Sequence, residues 1–416
     1  MGQNVLKNKN FLLMGSSKLI STLGTFIQNT AFALYVLDKT QSSTLFATVL
    51  MATLIPKILV GLFCGVLVDW FDRKKLIVLL DVISGGILLA IYGMSYTTDI
   101  SLIIIYIISI SLGVISAVYE PTSISILPTL VEADQLESAN ALNMIITAIG
   151  NIAGPLLGVI IYGAFGIKMS LIFNSLSFFV GAFINMFLKV AKGMQNVSDK
   201  HTVSKFIEDF VYGFKFLFSN KKLKLIVLCV LVQNCFFNGA TTVGIPFIAR
   251  VEFKVTNEQF ALIDITVILG ALIGSVLSGI IRKNKTTNQL FINMLIYISI
   301  CFAGIAIIMT GIFRSSTLSY YSILFIYLIL GITSINVTIA FQVDLQKEVD
   351  NNILGRISSL VYSIIMVSIP LGQAIFGWMF DNINPVIPFI ITTIIVIGVA
   401  LSFKGFTRND EVPVEG

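Results

Sequence analysis

The chain has 416 residues, 56% of them hydrophobic and 12% charged, with a mean hydropathy of +0.93. Soluble domains carry about a quarter charged residues, so this composition excludes a soluble core and points to an all-α membrane protein. The net charge of +5 follows from where the bases lie along the chain and calls for no nucleic-acid surface.

Apolar runs of about 20 residues, the length of a bilayer-crossing helix, recur throughout. The first predicted span, 11–37, follows the polar, basic "MGQNVLKNKN" without a small-residue cleavage site, so it reads as a helix and not as a removed signal. Within it Lys18, Thr22, Thr25 and Asn29 recur at i, i+4, i+7 and i+11, extended by Ser21 and Gln28. A polar stripe facing lipid is costly, so this one is expected to face an internal cavity. Span two, 43–69, ends in "GVLVDWFDRKK". Gly61 and Gly65 lie four apart and are expected to let another helix approach closely. Asp69 ends the span, where a carboxylate can meet the positive N-terminal end of a helix. Arg73, Lys74 and Lys75 follow. Spans three and four are 76–95 and 102–127, and span four carries Tyr119, Glu120 and Pro121. A charge in hydrocarbon costs about 3 kcal/mol on insertion scales and marks a functional candidate. Apolar surroundings disfavour the charged carboxyl, so Glu120 is a candidate proton carrier. The competing reading is an ion pair with Lys18 or Lys57, and Pro121 is expected to break the helix. Span five, 138–164, contains "GNIAGPLLG". Its Gly150, Gly154 and Gly158 form a smooth stripe, and Pro155 favours a kink. Span six is 168–190.

A polar segment, 191–222, comes next, and its "VSKFIEDFVYGFKFLFSN" predicts an amphipathic helix on the membrane surface. The one histidine, His201, lies here, and Cys64, Cys229, Cys235 and Cys301 all sit in apolar runs. No metal site, disulfide framework or cofactor is expected. The remaining spans are 223–249, 258–281, 288–312, 320–346, 355–380 and 383–405. Span seven offers Gln233, Asn234, Asn238, Thr241 and Thr242 with Phe236 and Phe237, and span eight offers Asp264 as a second candidate proton carrier. Asp81 and Asp344 lie nearer span ends and read as gate or helix-end residues. With a cytoplasmic N-terminus, about 20 of the 27 Lys and Arg fall inside and about five outside. Both termini are therefore expected in the cytoplasm.

"GLFCGVLVDWFDRKK" aligns with "GALIGSVLSGIIRKNK": Gly61 with Gly270, Gly65 with Gly274, Arg73 with Arg282 and Lys74 with Lys283. The same shift aligns Asn29 with Asn238. Two copies of a six-helix unit explain this: a bundle at 1–190, a linker at 191–222, a second bundle at 223–405 and a tail at 406–416. Repeated helical halves are a common transporter plan.

At these residues the sequence resembles the major facilitator superfamily, whose loop after the second helix carries G-x-x-x-D-R-x-G-R-K/R. Gly65, Asp69, Arg73 and Lys74 match; Trp70 and Asp72 depart from the pattern. The form resembles the drug:proton antiporter branch that includes macrolide-efflux proteins and siderophore exporters. Gly150, Gly154, Pro155 and Gly158 match that branch's G-x-x-x-G-P-x-x-G-G, with Val159 in place of the last glycine. The resemblance implies twelve spans in two pseudo-symmetric halves. It makes Asp69 a latch on the eleventh helix, near Arg356, and has spans one, four, seven and ten line the cavity. There Lys18, Thr22, Thr25, Gln28, Asn29, Tyr119, Gln233, Asn234 and Asn238 are the candidate substrate contacts. The Arg usual in the family's fourth span is missing here. The implied function is proton-coupled export of a lipophilic small molecule by a monomer in the plasma membrane. The alternatives are a proton-coupled importer on the same fold and a non-transporting membrane adaptor. No G-x-S-x-G, His/Glu metal set or G-x-x-x-x-G-K-[ST] supports an enzyme or an ATP-driven pump.

Overall fold

The computed structural model describes residues 5–69, 71–132, 135–190, 211, 214–283, 285–312, 316–349 and 351–410. Among them are eleven long helices: α1 Lys9–Thr40, α2 Ser43–Asp69, α3 Arg73–Met94, α4 Leu102–Ile126, α5 Leu136–Met186, α6 Lys221–Glu252, α7 Asn257–Arg282, α8 Thr287–Met309, α9 Ser316–Glu348, α10 Asn351–Asn382 and α11 Val386–Asp410. Helix α5 has 51 residues. At 1.5 Å per residue that is about 76 Å, more than twice the hydrocarbon thickness. It breaks at Gly166, where φ is 74°, a conformation open to glycine and strained for other residues. Its arms, 136–165 and 167–186, correspond to predicted spans five and six, so eleven helices supply twelve apolar segments.

Several helix starts have local causes. Asp72, the departure from the family's loop pattern, caps α3 by accepting from the Lys75 N–H at 2.9 Å. Thr256 with Gln259, and Thr286 with Gln289, form capping boxes at α7 and α8. Helix α6 passes through π-helical turns at Gly239–Gly244 and Ile248–Glu252.

Two local expectations are corrected. Helix α4 runs through Pro121 to Ile126 without a break. The lost hydrogen bond is one rung of a long ladder, and Thr122 Oγ1 donates to the Val118 carbonyl beside it at 2.6 Å. Gly61 is exposed, and a Cβ added there meets nothing within 4 Å among the described residues. The close approach to α2 is made by Gly113 of α4, where an added Cβ would strike the Thr53 carbonyl oxygen. Of the predicted surface helix, only residues 211 and 214–222 are described, and 214–219 are helical; His201 and Trp70 lie outside the described residues.

The helices form two compact units. The first holds residues 5–39 and 49–190 among those described, and the second holds 40–48 and 211–410. In the first, α3 packs on α4 and α5; in the second, α7 packs on α9, α8 on α9 and α11, and α6 on α10. The start of α2 thus packs with the second unit, against the last turns of α10. All four cysteines are free and buried.

Candidate functional site

The polar stripe of α1 divides between two neighbours in the first unit. Lys18 Nζ donates to Asn143 Oδ1 on the first arm of α5 at 2.9 Å. Thr22 packs against Gly150, Phe26 against Gly154, and Thr30 with Ile27 against Gly158. An added Cβ at any of the three glycines would collide with α1, so the stripe around Pro155 is a helix-packing seam. Thr25 Oγ1 turns back to the Ser21 carbonyl. Gln28 is fully buried and its Oε1 accepts from Asn174 Nδ2 on the second arm of α5. Asn29 is partly buried.

The embedded charges of this unit sort into two groups. Lys57 Nζ of α2 lies 2.7 Å from Glu120 Oε1 of α4, and the Glu120 side chain is 55% exposed. Asp81 of α3 is the opposite case, fully buried. Its Oδ2 accepts from Asn185 Nδ2 at 3.0 Å. Its Oδ1, with the hydroxyls of Ser21 and Ser84, has no hydrogen-bond partner among the described residues. Tyr119 lies beside Asp81, Asn185 and Ser17. Gly181 leaves the room for this group: a Cβ there would sit 2.6 Å from Ser21 Oγ, 3.2 Å from Ser17 Oγ and 3.5 Å from Asp81 Oδ2. Arg73 Nη1 donates to the Ser125 carbonyl at 2.9 Å and ties α3 to the end of α4. Lys74 is partly buried in the first turn of α3. The surroundings of Gly65 and the side chains of Asp69 and Arg356 lie outside the described residues.

In the second unit Gln233 is buried. Asn238 Nδ2 donates to the Asn234 carbonyl and side-chain oxygens. Thr241 and Thr242 bond back to the carbonyls of Phe237 and Asn238, at the π turn. Phe236 meets Phe376, and Phe237 meets Phe302, both with ring centroids 5.9 Å apart. Those rings therefore pack helix on helix inside the unit. Asp264 of α7 is partly buried beside the buried phenol of Tyr327, whose hydroxyl has no partner among the described residues. Asp344 of α9 is buried near Lys222, Lys347 and Arg282, and Lys222 pairs with Glu348 at 2.6 Å.

Asp381, in the last turn of α10, was not singled out from the sequence. Its carboxylate accepts from Ser42 Oγ at 2.6 Å, the Ser43 N–H at 2.7 Å, Ser43 Oγ at 2.7 Å and the Thr44 N–H at 3.0 Å. Ser43 Oγ also lies 2.9 Å from the Gly377 carbonyl. A side chain from one helix thus caps the N-terminus of another, where α2 has free N–H groups and a positive dipole end. The sequence signal is slight: "QSS" before one apolar run and an acid after another.

A family model described as transmembrane secretion effector matches residues 3–409. Macrolide efflux protein A of Streptococcus pyogenes is 23% identical, and the match covers 94% of each chain. The enterobactin exporter EntS of Salmonella choleraesuis is 22% identical over 77% of this chain and 74% of its own. A crystal structure of a bacterial homologue of the iron transporter ferroportin, in its inward-facing state, superposes with a TM-score of 0.69 at 17% identity, covering 96% of this chain and 99% of that one. With an all-helical fold of two units, embedded charges and a match along nearly its whole length, this chain belongs to the major facilitator superfamily, in its family of transmembrane secretion effectors.

Proposed function

We propose that the protein is a proton-driven exporter of lipophilic small molecules, working by alternating access as a monomer in the plasma membrane with both termini in the cytoplasm. The observation that carries this reading is similarity over most of the chain to a macrolide efflux protein and an enterobactin exporter. The bias of Lys and Arg toward one side supports the orientation. The Gly150–Gly154–Pro155–Gly158 seam supports export, since it matches the antiporter branch and seats α5 on α1.

An antiporter needs a carboxyl that alternates between charged and neutral forms. Glu120 suits this poorly, because its carboxylate is engaged by Lys57 at 2.7 Å. Asp264 has no ion pair among the described residues, and Asp81 is buried with one oxygen unpartnered. They are therefore the carriers proposed here. In reconstituted vesicles, Asp81→Asn or Asp264→Asn is expected to abolish efflux driven by a pH gradient and to spare substrate exchange at equal pH. Glu120→Gln is expected to keep gradient-driven efflux. Gradient-driven efflux that survives in the Asp81→Asn, Asp264→Asn double variant removes both from the role.

A further inference from the structure

Helices α1, α2, α4 and α5 carry two polar pairs in the first unit. Lys57 is engaged by Glu120. Lys18 donates to the neutral amide of Asn143. Among the described residues no carboxylate lies at ion-pair distance from Lys18, which stands in a helix long and apolar enough to cross a membrane. An ammonium has three N–H donors, and this one has a single neutral partner at hydrogen-bond distance. Embedded charges are expensive, and those that persist are compensated by a partner or by a ligand. Lys18 and Asn143 are both partly exposed, so a ligand can reach them.

We propose that Lys18, held by Asn143, binds the acidic group of the cargo, so that the transported class is amphiphilic organic anions, carboxylates or catecholates, and not organic cations. This rests on the reading of the chain as a small-molecule transporter and names the class it carries. Asn143 orients the ammonium through Oδ1, and the remaining N–H donors meet the anion's oxygens.

The test is equilibrium binding to the purified full chain in nanodiscs, which needs no transport and so stands or falls apart from the direction and driving force of export. The probes are naphthylacetate and dihydroxybenzoylglycine, each beside its own primary amide, and naphthylethylamine as the cation. A charge-assisted bond lost from a half-buried site is worth about tenfold in affinity. The wild type is expected to bind each acid about tenfold more tightly than its amide and to disfavour the amine. Lys18→Gln, which keeps a donor for Asn143, should erase the preference for acid over amide, and Lys18→Arg should retain it. Lys18→Glu should reverse the order and favour the amine. The proposal is overturned if the wild type shows no preference for acid over amide, or if Lys18→Gln keeps that preference. Elution of each variant as a monodisperse peak guards against misfolding, and Lys18→Arg supplies the folded control.

Discussion

Asp381→Ala is expected to release the start of α2 from the end of α10. The carboxylate takes four hydrogen bonds from Ser42, Ser43 and Thr44, at the positive end of the helix dipole. Charge-assisted bonds of this kind are worth about 1.5–3 kcal/mol each when buried. Asp381 is exposed, so solvent screening reduces the whole set to about 1–2 kcal/mol, a shift of about five- to thirtyfold in the clamped population. Residues 40–48 pack with the second unit while α2 continues at Val49 into the first, so this clamp lies where the chain passes from one unit to the other. Spin labels on cysteines placed at Gln41 and Asn382 would read the separation directly, and the four native cysteines are buried and interfere little. The wild type should give one short distance. Asp381→Ala should add a longer, broader population, and Asp381→Asn, which keeps acceptor oxygen but loses charge, should fall between. An unchanged distance distribution in Asp381→Ala would show that helix packing at Gly377, not the carboxylate, holds the two ends together.

Gly270 and Gly61 occupy equivalent places in the sequence repeat and should respond in opposite ways to the same change. At Gly270 of α7, an added Cβ would strike the Leu328 carbonyl oxygen of α9 and lie 3.1 Å from Gly331 Cα. Both are backbone atoms, which cannot rotate aside. Gly331 in turn leaves no room for a Cβ against the Val267 carbonyl, so α7 and α9 cross through two facing glycines. Overpacking usually costs about 1–3 kcal/mol, and a clash against backbone on both helices belongs at or above the upper end. Gly270→Leu should therefore abolish recovery of monodisperse protein, with Gly270→Ala intermediate. Gly61→Leu meets open space among the described residues and should give wild-type yield and melting temperature. Equal behaviour of the two leucine variants would mean that the two halves pack their repeat alike.

The spans were legible because hydropathy and length decide membrane crossing residue by residue. Spans five and six were separated at 165–167, and the structure turns there at Gly166. What each polar residue faces was not legible. Gln28 and Lys18 share one stripe of α1, yet one meets Asn174 and the other Asn143, on different arms of α5. Partners more than 100 positions away decide such matters, and no local pattern encodes them. Glu120 was narrowed to two possible bases, and the crossing of α2 and α4 selects Lys57. Asp81 read as a helix-end residue because it lies near one end of its span, but Asn185 and Gly181 enclose it. Gly61 shows the limit of motif reasoning: its repeat mate is packed tightly, and among the described residues nothing packs on Gly61.

The central claim is export driven by an inward proton gradient. It is tested most directly in everted membrane vesicles from cells that overproduce the protein, with a lumen made acidic and with a catecholate siderophore and a lipophilic carboxylate offered outside. The account predicts accumulation of cargo in the lumen, abolished by nigericin and absent from vesicles carrying Asp81→Asn with Asp264→Asn, together with a rise in lumenal pH when cargo is added. Accumulation that persists after the gradient is collapsed, or cargo movement only out of the everted lumen and down the proton gradient, would contradict it.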